Sequence, residues 1–171
     1  VRHVLQEMSC HRGLEIHHDG DLPARSGLGS SSSFTVGLLN ALKALEGQYI
    51  SDEQLATKAI DIEQNVIKEN VGSQDQISAA YGGFNRIDFN QNDTFKVSPI
   101  ILPSDRLTAF QDHFMLFFTG VSRIASEVAK SKIDNLKSRV TELQRMDAIA
   151  KEALSVLQSN APLDEIGRLL D

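Results

Sequence analysis

The chain has 171 residues, 41% apolar and 23% charged, the balance of an ordinary globular chain, so disorder is excluded as its main state. A formal net charge of −6 argues against a general nucleic-acid binder, and a single cysteine, Cys10, excludes an intrachain disulfide and a cysteine-built zinc cage. No run approaches the roughly 20 apolar residues of a membrane span, the N-terminus lacks a signal-peptide layout, and a lone thiol fits a reducing, cytoplasmic setting.

Residues 1–12 read as the tail of a helix. From Gly13 to Asp21, Leu14 and Ile16 alternate with polar residues as in a short strand. A loop from Leu22 to Gly29 holds Pro23, Gly27 and Gly29. Ser31 to Leu45 reads as a helix, with Val36, Leu39, Leu42 and Leu45 at helical spacing and Gly47 as its stop. Ser51-Asp52-Glu53-Gln54 is a capping box opening a helix to about Lys68, with Leu55, Ala59, Ile62 and Val66 on one face. Asn70-Val71-Gly72 breaks it, and Ser73 is expected to cap a short helix from Gln74 to Ala80. Three strands are expected next, at Phe84–Phe89, Phe95–Leu102 and His113–Thr119, the last continuously apolar as in a doubly covered strand. Ser122 to Ser159 is helical by period, Pro162 follows, and Leu163 to Leu170 begins a further helix. A start without Met and an end inside a helix read as an internal piece of a longer protein.

The sharpest feature is Pro23-Ala24-Arg25-Ser26-Gly27-Leu28-Gly29-Ser30-Ser31-Ser32-Ser33, placed after an expected strand and opening a helix. The first N–H groups of a helix lack internal partners and carry partial positive charge, so an anion belongs there. Gly27 and Gly29 let a polyphosphate approach the backbone, and a serine hydroxyl offers an oxygen ligand suited to magnesium. A flexible Gly/Ser loop before a Ser-capped helix is the other reading. Neither a P-loop lysine nor the third glycine of a dinucleotide fingerprint is present.

Glu63 and Asp75 flank the Val71-Gly72-Ser73 break, so a chain reversal there brings two carboxylates to one site. Phosphoryl transfer asks side chains for a metal ligand, a group that orients or deprotonates the attacking hydroxyl, and donors around the phosphates. The first turn of a helix favours a carboxylate at Asp75, which suits steering a hydroxyl more than stripping it. Position alone equally allows Asp75 to serve its own helix dipole, and favours a solvated Glu63.

Together these residues resemble the GHMP kinase family. The Pro23–Ser33 segment is similar to its second motif, and Asn70–Gln76, Ala79–Asn85 and Leu116–Glu127 resemble its sugar-kinase branch. The resemblance implies an α+β fold. A GHMP kinase-like N-terminal domain over 1–105 has a sheet with the helices at 31–45 and 52–68 packed on one face. The helical start of a ferredoxin-like C-terminal domain follows over 106–171. It implies ATP and Mg2+ as cofactors, a small sugar phosphate as partner, and no nucleic acid or membrane. Pro23, Arg25, Ser26, Gly27, Leu28, Gly29, Ser30, Ser31 and Ser32 would hold the nucleotide. Ser31, or Ser30 by register, and Glu63 would hold the metal. Asp75 would stand at the acceptor hydroxyl, and Gly72, Gln74 and Arg123 would face the substrate. The most specific acceptor implied is the anomeric hydroxyl of D-glycero-D-manno-heptose 7-phosphate. Fucose, galactose and mevalonate-type acceptors are alternatives, as is a non-catalytic fragment that binds nucleotide or a partner. The family's first and third motifs are absent, and the loss of the strands that go with them would leave apolar surface exposed, which invites a homo-oligomer.

Arg25 suits either an anion contact or a solvated loop. Arg123 suits a substrate phosphate or a surface helix start. His17-His18 reads as a surface pair and Cys10 as a small buried residue. Lys130, Lys132, Lys137 and Arg139 read as a solvated helix face.

Overall fold

The computed structural model describes residues 1–21, 27–117 and 138–171. Its elements are α1 (Arg2–Glu7), α2 (Ser30–Leu45), α3 (Asp52–Asp61) running into a π-helical turn (Ile62–Val66), α4 (Gln74–Tyr81), β1 (Asn85–Phe89), β2 (Phe95–Pro99), α5 (Ser104–Asp112), α6 (Val140–Gln158) and α7 (Asp164–Leu170). The fold is α+β, as expected. The described residues divide into two compact units, one over 1–98 and one over 99–117 and 138–171.

In the first unit α2 is the spine. Val36, Leu39 and Leu42 form its buried stripe and meet Leu55 and Ala59 of α3, Ile62 of the π turn and Val4 of α1. Each such leucine contributes roughly 1.5–3 kcal/mol by leaving water. The helix stops where the sequence places its stop: Gly47 takes φ +69°, and the Gln48 N–H reaches the Lys43 carbonyl at 2.9 Å. The capping box of α3 is complete. Gln54 N–H donates to Ser51 Oγ, and Ser51 N–H donates to Gln54 Oε1, both at 3.2 Å.

Three local expectations fail here. Leu14 and Ile16 form no strand, and both stay more than a third exposed. A strand needs a ladder partner, and the only sheet among the described residues is the β1–β2 hairpin, turned at Asn90–Thr94. Ser73 precedes α4 without capping it; its hydroxyl instead accepts from Gln64 Nε2 at 3.2 Å. Cys10 is half-buried at the edge of the core. His17 and His18 are both exposed, as expected; His17 pairs with Glu15 and His18 lies edge-on against Phe34.

The second unit is helical. Arg106 of α5 donates to the carbonyls of Val156, Leu157 and Ala161 at 2.7–2.9 Å, so one guanidinium satisfies the otherwise open C-terminal end of α6. Leu157 and Ile166 are buried among its described residues. Helix α5 occupies a segment where the sequence reading had no element. Phe114–Phe117 are irregular rather than the expected strand; they lack a sheet neighbour among the described residues and are 55–80% exposed. The rest of that expected strand, and the first part of the long helix expected from Ser122, lie outside the described residues. No helix among the described residues is long and apolar enough to cross a membrane.

Candidate functional site

The site gathers at the N-terminus of α2. Gly29 is its N-cap, in the left-handed region at φ +68°, and brings no side chain to cap the helix. The N–H groups of Ser30, Ser31 and Ser32 precede the first intrahelical bond, from Ser33 N–H to the Gly29 carbonyl at 2.9 Å. Three donors and the positive end of a 16-residue helix therefore face the loop.

Glu63 lies behind this end. Its carboxylate is buried, with the residue 2% exposed, so it is not the solvated side chain that position alone favours. It sits on the π turn, where the Ile67 N–H reaches back five residues to the Ile62 carbonyl at 2.8 Å. Such turns recur at functional sites. Glu63 Oε2 accepts from Ser32 Oγ at 2.8 Å and from Gln76 Nε2; Oε1 accepts from Thr35 Oγ1 at 2.9 Å. Burying a carboxylate costs several kcal/mol, and each bond to a charged group returns about 1.5–3 kcal/mol. Three neutral donors thus roughly offset the burial. No ion pair reaches Glu63 among the described residues.

Asp75 stands exposed in the first turn of α4. Its side chain packs against Gly29: a methyl group on Gly29 would stand 3.1 Å from Asp75 Cγ and 3.2 Å from Oδ2. Gln64 holds the reversal between the two acids by donating to the Val71 carbonyl at 3.0 Å and to Ser73 Oγ. The chain thus brings Gly29, Ser32, Glu63 and Asp75 together.

The other expected residues fall as follows. Gly27, at φ +79°, and Leu28 are exposed on the loop before α2. Ser30 is half-buried. Ser31 is exposed, and among the four serines the hydroxyl bonded to Glu63 is that of Ser32. Gly72 and Gln74 are exposed on the approach to α4. Pro23, Arg25, Ser26 and Arg123 lie outside the described residues. Thr35 and Gln76 were not among the expected site residues. Thr35 is marked by its spacing on the buried face of α2, one residue before Val36 and four before Leu39; Gln76 follows Asp75 directly.

A cavity of about 480 Å³ adjoins the same helix end, walled by Ile16, His18, Leu28, Phe34 and Leu38 and reaching Ser30 and Ser33. The donor set fits a hard cation. Glu63 uses three of about four acceptor directions, leaving capacity on Oε1, and the Ser32 oxygen keeps lone pairs beside it. No group of three or more His, Cys, Asp or Glu side chains that could hold a metal ion is found among the described residues.

Residues 1–83 match the family model described as the GHMP kinases N terminal domain. Over 146 residues the chain is 28% identical to the D-glycero-alpha-D-manno-heptose 7-phosphate kinase of Campylobacter jejuni, covering 85% of this chain and 43% of that protein. It is 32% identical over 131 residues to the galactokinase of Pyrococcus furiosus, covering 75% of this chain and 36% of the relative. The chain thus spans less than half the length of either. The crystal structure of a D-glycero-D-manno-heptose 1-phosphate kinase from Bacteroides thetaiotaomicron shares the fold. Its TM-score is 0.73 at 24% identity, and the match covers 98% of this chain and 49% of that one.

Proposed function

We propose that this chain, whose residues 1–83 match the GHMP kinases N terminal domain model, belongs to that family and is part of an ATP- and Mg2+-dependent sugar kinase. Its acceptor is the anomeric hydroxyl of D-glycero-D-manno-heptose 7-phosphate. In this reading residues 1–105 form the nucleotide side of the enzyme and 106–171 open its second domain. Consumption of ATP and a sugar phosphate fits a cytoplasmic setting.

One observation carries the reading. The phosphate-facing end of α2 bears, within a few residues, both the hydroxyl bonded to the buried Glu63 carboxylate and the glycine against which Asp75 packs. The free N–H groups of Ser30, Ser31 and Ser32 orient the nucleotide phosphates, and Leu28 and Phe34 offer an apolar wall to the rest of the nucleotide. Ser32 and Glu63 would hold the magnesium ion, which when bound neutralises phosphate charge. The Asp75 carboxylate accepts the hydrogen bond of the acceptor hydroxyl and aims its oxygen at the γ-phosphorus. As the new P–O bond forms, the bond to the ADP oxygen breaks and the hydroxyl proton leaves toward Asp75 or solvent. Most of the acceleration then comes from position and preorganised charge.

The acceptor rests on the Campylobacter jejuni relative, which matches across most of this chain. A galactose acceptor is the second reading, because the Pyrococcus furiosus galactokinase is 32% identical. ADP release with Mg-ATP over a panel holding the heptose 7-phosphate, galactose and fucose separates them. Release with the heptose phosphate alone is the expected result; release only with galactose moves the acceptor. Neither turnover nor nucleotide binding leaves the catalytic reading without support.

A further inference from the structure

Gln76 has no task in the reading above. Its side chain is fully buried, at 0% exposure, directly after Asp75 in the first turn of α4. Nε2 donates to Glu63 Oε2, while Oε1 is buried without a hydrogen-bond partner among the described residues. A buried amide satisfied on one side only is a poor stabiliser, because the orphaned acceptor has lost its water. Turning the amide over would set Oε1 against a carboxylate oxygen, acceptor on acceptor. Glu63 therefore dictates the orientation of Gln76 at the expense of its other half.

The other two donors to Glu63, Ser32 and Thr35, both belong to α2. The terminal torsion of a glutamate is broad, so bonds from a single helix leave the carboxylate plane weakly fixed. Gln76 comes from a second element and closes the third side. The residue that fixes this plane is also the chain neighbour of Asp75.

We propose that Gln76 is a positioning residue: its amide sets the carboxylate plane of Glu63 for a divalent cation and ties Asp75 to that carboxylate. The inference rests on the kinase reading above. It is tested on this chain with Mn2+ and a non-hydrolysable ATP analogue, following free Mn2+ by electron paramagnetic resonance. The variants are Gln76→Met, which keeps the length and removes the amide, and Gln76→Asn, which keeps an amide too short to reach. The expected result is Mn2+ affinity in the presence of nucleotide at least ~10-fold weaker in both, with metal-free nucleotide affinity within about twofold. The thermal midpoint of Gln76→Met falls by roughly 3–12 °C, the loss of one hydrogen bond to a charged group; a purely stabilising role would not single out Mn2+ affinity from metal-free nucleotide affinity in the folded variant.

Equal Mn2+ affinity in a folded Gln76→Met overturns the proposal and leaves the kinase reading standing. If that variant does not fold, Gln76→Asn decides by the same criterion. Collapse of both assigns Gln76 a structural role and overturns it as well. No nucleotide-dependent Mn2+ binding in the unaltered chain overturns the kinase reading first, and the proposal with it.

Discussion

The Asp75 carboxyl group fills the space a side chain on Gly29 would need: a methyl group there would stand 3.1 Å from Asp75 Cγ. One position thus answers two demands, a left-handed N-cap at φ +68° and room for the acid. Gly29→Ala is expected to destabilise by about 1–2 kcal/mol from the backbone alone and to push Asp75 out of line. Urea unfolding reads the first effect. Acceptor-dependent ADP release, measured where the variant is still folded, reads the second and should fall further than stability explains.

The serine run gives a sharper comparison. Ser32 is buried on Glu63, while Ser31 is exposed. Ser32→Ala should cost about 1.5–3 kcal/mol, the range for a hydrogen bond to a charged group, and weaken metal-dependent nucleotide binding. Ser31→Ala should stay within about 0.5 kcal/mol and weaken that binding less. Paired melts and Mg-ATP titrations check both, and equal effects would return the metal hydroxyl to Ser31.

Asp75→Asn leaves the α2 N-terminus and Glu63 untouched. It should therefore bind Mg-ATP as the unaltered chain does and lose ~10²-fold or more in turnover, the scale of a group acting on the transferred proton. Equal losses of binding and turnover would count against a role at the acceptor.

Stability should fall on the alkaline side. The Lys58 ammonium lies 2.6 Å from the Glu7 carboxylate, and that hydrogen bond raises its pKa above 10.5, with Asp61 helping. Burial raises Tyr81 above 10.0, aided by Glu53 and Asp52. Both groups are held protonated by the fold. Their contribution is complete below the unfolded values and is lost as pH climbs through the higher folded ones. Asp61 runs oppositely: the Asn65 amide lowers it below 3.8, so its contribution is present above that value and lost as pH falls through the folded one. Each effect is small, because the groups are partly solvated. Lys58→Met should flatten part of the alkaline slope in melts between about pH 9 and pH 11.5 and leave the Tyr81 part.

What the sequence made legible was local. The capping box at Ser51, the glycine stop after α2 and the turn into α4 are written in adjacent residues, and all three form. Position favoured a solvated Glu63; its burial on the core face, one helical turn after Ala59, came only with the packing of α2 and α4 around it. Its hydroxyl partner was no more readable: choosing among four consecutive serines needs the winding of α2 in space. Helix α5 escaped because it buries none of its residues and so carries no strong apolar stripe, although Ser104-Asp105 after Pro103 is a start signal. Leu14, Ile16 and Phe114–Phe117 have strand chemistry, but a strand exists only beside another.

The π turn gives segment length a meaning that composition lacks. Each residue of an α-helix turns the chain by about 100°. Glu63 and Gln64, adjacent in sequence, reach apart: one to α2 and α4, the other to the Val71 carbonyl and Ser73. Removing Asn65 or Val66 would restore regular winding and rotate everything downstream by that angle. Every chemical group of the site would survive such a deletion, and their angular phase would be lost. A designer who straightened this helix for stability would erase the site without altering any of the residues that compose it.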